Sequence, residues 1–106
     1  MGTRYAALLE DWAAVMENRR EPRYATRLAG ALLTYRHRDE ILVENVSRSG
    51  ALVTGADLPE RGTEVVLSAG AMEIVATVAW ATDQSCGLMF HRNIDAGALR
   101  HLRQAG

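Results

Sequence analysis

Two short polar segments hold the side chains of this chain that are best suited to gripping a ligand. In Asn18-Arg19-Arg20-Glu21-Pro22-Arg23, the guanidinium groups of Arg19 and Arg23 stand in an Arg-x-x-x-Arg pattern, with Arg20 between them. Further on, Asn45-Val46-Ser47-Arg48-Ser49-Gly50 fits Asn-x-Ser-x-x-Gly. Arginine offers a rigid planar fork that meets phosphate or a purine edge bidentately, and a flat face for stacking. Asn and Ser bring short hydrogen-bonding side chains, and Gly lets another group come close to the backbone. Taken one at a time, both segments are commonplace. An arginine pair four residues apart is ordinarily a solvated linker, and Asn-Ser-Gly is ordinarily a turn.

Other chemistries find less support. His37, His91 and His101 are far apart, and Cys86 has no second cysteine, which argues against a metal site and rules out an internal disulfide. Cys86 lies in an apolar run with no charge nearby to activate it, and reads as a buried small hydrophobe. No glycine-rich phosphate loop and no paired-carboxylate signature is present. The chain is therefore expected to be a non-enzyme without cofactor or metal.

Charge is unevenly spread. The net charge is −1, and all 12 basic residues are arginine. Seven of these fall between residues 19 and 48 against four acids, whereas residues 49 to 91 hold one arginine against five acids. A local basic stretch in a nearly neutral chain suits a compact anionic ligand better than a long polyanion, since nucleic-acid domains are usually strongly basic overall.

The elements that must position these residues emerge from periodicity. In residues 4–17, Tyr5, Leu8, Leu9, Trp12, Val15 and Met16 recur at helical spacing, with Glu10, Asp11 and Glu17 on the other side. Thr3 suits the cap, and Pro22 forbids continuation past the arginines. Six runs rich in Val, Ile, Leu and Thr come next: Leu28–Tyr35, Glu40–Asn45, Ala51–Thr54, Glu64–Leu67, Met72–Ala81 and Ser85–Phe90. Short breaks between them suit antiparallel hairpins, and regular short strands imply a sandwich or a barrel. Ile94–Gln104 reads as a closing helix capped by Asn93 or Asp95. With 106 residues, one domain is expected. Its parts are an N-terminal helix (1–17), an arginine-rich loop (18–24), a β-barrel (25–92) and a C-terminal helix (93–106). No run is long and apolar enough to span a membrane, and a cytoplasmic location is expected.

With both motifs in this order ahead of such strands, the chain resembles the PilZ domain family from residue 17 to 104. Members carry Arg-x-x-x-Arg before the first strand and Asp/Asn-x-Ser-x-x-Gly after the second, and Gly87-Leu88-Met89-Phe90 is similar to their last strand. The resemblance implies a mainly β fold, a six-stranded antiparallel barrel that binds the second messenger cyclic di-GMP on its outer surface. By position, Arg19 and Arg23 would be the main ligand arginines, Asn45, Ser47 and Gly50 the opposing wall, and Arg20 and Arg48 helpers. Many members have a further arginine just before the first motif. Here that place is Asn18, which leaves open whether one nucleotide or a stacked pair binds.

The ligand chemistry suits these residues. Cyclic di-GMP presents guanine O6/N7 edges, which match the guanidinium fork, and phosphodiesters, which take it with charge assistance. Ordering of the 18–23 linker on binding, relayed to a protein effector, is the expected output, in a monomer or a homodimer, with the N-terminal helix packed either on the barrel or on a partner. The rival readings are a PilZ-like adaptor that binds protein and no nucleotide, and a small barrel for single-stranded nucleic acid. The second would want surface aromatics, and aromatic residues make up only 6% of the chain.

Overall fold

The computed structural model describes residues 21–105 of the chain. The expected helix over residues 4–17, together with Arg19 and Arg20, lies outside the described residues. Six strands, β1 (Tyr24–Leu33), β2 (Arg38–Val46), β3 (Gly50–Gly55), β4 (Glu64–Ala69), β5 (Met72–Ala81) and β6 (Ser85–Phe90), precede one helix, α1 (Ala96–Ala105). The strands close into a barrel in the order β1-β2-β3-β6-β5-β4, and every neighbouring pair is antiparallel.

Inward alternation makes the core. Val43, Val53, Leu67 and Leu88 are fully buried, and α1 adds Leu99 and Leu102 to the same cluster. Each such side chain contributes roughly 1.5–3 kcal/mol of apolar burial. Closure depends on the second half of β1, where Gly30–Leu33 pairs with Ala69–Val66 of β4 while also pairing with β2. Gly30 sits where these strands press together: a Cβ there would lie 2.5 Å from the Ser68 carbonyl oxygen.

The first half of β1 pairs with β2 alone, and its other edge is covered by α1. Thr26 Oγ1 donates to the Leu102 carbonyl at 3.1 Å, and the Arg103 guanidinium stacks 3.7 Å from the Tyr24 ring centroid. Covering an unpaired edge in this way prevents strand addition by other chains.

Boundaries differ from expectation chiefly at β1, β2 and the closing helix, while β3 extends one residue at each end and β4 two residues at its end. β1 begins at Tyr24 rather than Leu28. An extra residue between Ala25 and Leu28, relative to Asn45 and Val43 opposite, breaks the two-residue alternation that would have revealed the strand. The next turn comes early, with Thr34 N–H donating to His37 O at 2.8 Å, so β2 starts at Arg38. The closing helix starts at Ala96 because Asp95 Oδ1 accepts the Ala98 N–H at 2.7 Å. Ile94, expected inside the helix, instead donates its N–H to the Arg48 carbonyl at 2.8 Å.

Candidate ligand-binding face

Three ladder irregularities lie along one line across the barrel. They fall between Ala25 and Leu28 in β1, Val43 and Asn45 in β2, and Val78 and Trp80 in β5. Each inserts a residue and exchanges the faces of the residues beyond it. The cross-strand row Ala25–Asn45–Leu52–Gly87–Trp80 runs beside them. Its neighbours Val46, Ala51, Cys86 and Leu88 are all in the core, so the row faces outward. Trp80 is 6% exposed yet stands apart from the core cluster, so this indole is buried on the outside of the barrel. On the same row, the Asn45 side-chain oxygen is buried without a hydrogen-bond partner among the described residues. An unsatisfied buried acceptor of this kind costs about 1–3 kcal/mol.

The turn beyond Asn45 is tightly organised. Ser47 is fully buried; its N–H donates to the Gly50 carbonyl at 2.9 Å, and its Oγ accepts the Ser49 N–H at 3.2 Å. The Ser49 carbonyl accepts the Phe90 N–H at 2.8 Å, which fastens the turn to β6. Gly50 opens β3 opposite Met89 in extended, buried backbone. The described glycines with positive φ are Gly62 and Gly70, so the Asn-x-Ser-x-x-Gly turn does not draw on left-handed backbone at Gly50. Arg48 is exposed, and its Nε donates to the Ile94 carbonyl at 3.0 Å, tying this turn to the segment that enters α1.

The first motif meets the second here. Ser49 Oγ donates to Glu21 Oε1 at 2.8 Å, so the residue between Arg20 and Pro22 is seated on the turn of Asn-x-Ser-x-x-Gly. Arg23 is exposed and directly precedes Tyr24, whose cross-strand partner is Val46, the residue before Ser47. The fold thus gathers Arg23, Asn45, Ser47, Arg48 and Gly50 at one end of β1, β2 and β3. Glu21, Ser49 and Trp80 join them without having been singled out from the sequence. The first two occupied variable positions of the motifs, and Trp80 looked like any core aromatic in a strand.

The remaining reactive side chains lie elsewhere. Burial pushes the Cys86 thiol up to about 12, which keeps it protonated and a poor nucleophile. His91 Nε2 lies 2.8 Å from Thr77 Oγ1 and 3.6 Å from Glu64 Oε2 on the exposed surface. Among the described residues, no three His, Cys, Asp or Glu side chains are grouped to hold a metal, and no helix is long and apolar enough to cross a membrane.

A family model described as the PilZ domain matches residues 17–105, which takes in both motifs, all six strands and α1. The chain belongs to the PilZ domain family. PilZ domains are a cyclic di-GMP-binding, non-enzymatic receptor family. Among solved structures, the barrel is similar to an inhibitor of motility from Bacillus subtilis (MotI/DgrA), with a TM-score of 0.59 and 20% sequence identity over 80% of this chain. The match spans 47% of that protein's length, and at this identity the likeness concerns the fold. No curated protein matches the chain.

Proposed function

We propose that this PilZ domain is a non-catalytic receptor that holds cyclic di-GMP between the arginines preceding β1 and the outer face at Asn45. The observation that carries the reading is the 2.8 Å Ser49–Glu21 hydrogen bond, which joins two motifs distant in sequence beside an acceptor that lacks a partner among the described residues. Arg19 and Arg23 supply guanidinium forks to guanine edges and phosphodiesters, and Arg20 adds charge. Asn45 would turn its side-chain oxygen, buried in the unliganded protein, to accept a guanine N–H. Buried Ser47 and Gly50 shape the turn, and Arg48 anchors it. Two or three bidentate contacts, each worth about 1–3 kcal/mol, support micromolar affinity, about −8 kcal/mol after association costs.

Binding is read out by a protein effector. The described link to the rest of the molecule is the start of β1, where Tyr24, next to Arg23, carries the Arg103 stack from α1. Ligand held by the arginines before β1 biases this end of the barrel by its differential affinity for the two states. The domain works in the cytoplasm, as a monomer or a homodimer.

Calorimetric titration of the purified chain with cyclic di-GMP tests the reading and reports stoichiometry, one nucleotide or a stacked pair. Saturable micromolar binding, with no comparable affinity for random single-stranded oligonucleotides, is expected. A folded protein that releases no heat and shows no shift at high micromolar nucleotide refutes it and leaves the protein-adaptor reading.

A further inference from the structure

A second strand has a half-paired edge, and this one opens onto a cleft. β5 runs from Met72 to Ala81, yet β6 pairs with it only from Ala76 onward, so Met72–Val75 is joined to β4 alone. The Val78 N–H and carbonyl bond Thr63 and Gly62 on the β4 side, whereas the Val75 carbonyl accepts the His91 N–H at 3.0 Å on the other. Counting by twos along the strand, Glu73 and Val75 turn their backbone groups to that other side. The Glu73 N–H and carbonyl and the Val75 N–H therefore face a gap where a neighbouring strand would lie.

The gap is held open. Continued in register, β6 would bring Asn93 opposite Glu73. The chain leaves instead: the Ile94 N–H donates to the Arg48 carbonyl at 2.8 Å, Arg48 Nε donates back to the Ile94 carbonyl at 3.0 Å, and Asp95 caps α1. The His91 ring is fixed 2.8 Å from Thr77 Oγ1. What remains is a cleft of about 520 Å³ between Met72–Val75 and residues 91–95, with Ile74, Ile94 and Ala98 in its lining. Val75 is 46% exposed, and Glu73 beside it is exposed as well.

We propose that this cleft accepts an extended segment of a protein partner, added as a short strand beside β5. Such binding draws affinity from main-chain hydrogen bonds and specificity from alternate side chains. The three backbone groups facing the gap supply the first. For the second, Glu73 calls for a cation beside it on the added strand, and Val75 for a β-branched residue, because opposite charges and apolar pairs across strands stabilise. Arg92 on the facing wall repels a polybasic segment, so the partner brings one basic residue among β-branched ones. A second copy of this edge would bring another glutamate in place of the cation. Residues 4–17 of the chain itself recur at helical spacing and lack the two-residue alternation of a strand. The cleft is complete without nucleotide, so it is independent of the receptor reading.

Amide hydrogen exchange followed by NMR on the full chain tests the site. In the free protein, the Glu73 and Val75 amides should exchange about 100-fold faster than those of Ile74 and Ala76, which face β4. The probe is a blocked heptapeptide alternating valine with threonine around a central arginine, added to about 1 mM. It should slow exchange at Glu73 and Val75, and a copy N-methylated at its bonding amides should not. Replacing the peptide arginine by glutamate should weaken binding about fivefold, and the protein variant Glu73→Arg, at an exposed position, should restore it. Glu73 and Val75 amides already protected in the free chain mean that its own residues fill the cleft, and protection that grows with protein concentration means that a second copy does. Either result overturns the proposal. So does a peptide that leaves both amides unprotected, or one that binds equally well with arginine or glutamate at its centre.

Discussion

Substituting Gly30 by alanine separates barrel closure from ligand contact. The added Cβ would lie 2.5 Å from Ser68 O and 3.3 Å from the Ala69 Cβ, both on β4. Neither atom belongs to a flexible side-chain end, so β1 and β4 must move apart by several tenths of an ångström along the seam that closes the barrel. Overpacking of this kind costs about 1–3 kcal/mol. Replacing glycine in a strand returns roughly 0.5–1 kcal/mol through reduced freedom of the unfolded chain. Because the 2.5 Å clash is with backbone, the upper part of that cost, about 2–3 kcal/mol, applies, and the net expectation is a loss of about 1–2.5 kcal/mol, a drop in Tm of roughly 4–20 °C for a domain of this size. The ligand face begins at Tyr24, six residues away, or about 20 Å along the strand. Nucleotide affinity at low temperature should therefore stay within about twofold. Thermal unfolding measured by circular dichroism, with calorimetric titration at about 10 °C, where the variant stays well below its Tm, checks both halves. A Tm within about 2 °C of the parent, less than the smallest shift expected, would refute the crowded seam, and a lost affinity in a folded protein would refute the separation of seam from site.

Arg23→Ala should reduce cyclic di-GMP affinity by about 10- to 100-fold, one lost bidentate contact, while an exposed position keeps stability within about 0.5 kcal/mol. Titration and urea unfolding of the same sample check this, and a large stability loss would make Arg23 structural. The Cys86 thiol should resist thiol reagents at mildly alkaline pH in the native protein and react once denaturant is added. Its proton is held to about pH 12 when folded and to about 9.0 when unfolded. The unfolded state loses that proton first, so stability is constant below pH 9 and falls as pH rises from 9 to 12, by on the order of 1 kcal/mol at pH 10. Urea unfolding of the parent and Cys86→Ala across that range isolates the effect as the difference between them.

The barrel was legible in the sequence because its strands are short, β-branched and cleanly interrupted, and because β5 and β6 keep intact ends. What stayed hidden came from the irregularities. The inserted residue near Ala25 disguised the first four residues of β1 as linker, and the one before Trp80 turned an apparent core tryptophan outward. Asn45, Ser47, Gly50 and Arg23 were visible as motif positions, and the fold gathers them at one end. That Ser47 is buried in the turn, and that Arg48 spends its Nε on Ile94, depends on contacts across 46 residues of chain that no local pattern reports. Glu21 and Ser49 were invisible for the same reason: each sat at an unspecified motif position, and only their meeting gives them meaning.

β1 is stitched on both sides from Gly30 onward. Ahead of Gly30 it is stitched on one side only, with a single hydroxyl and a stacked guanidinium standing in for the missing strand. A pull on Arg23 therefore meets a stiff ring through a compliant tongue. The tongue can peel from the C-terminal helix while every rung that closes the ring remains made. In the proposed receptor, a ligand held at Arg23 would thus act on the last turn of that helix without the barrel ever opening.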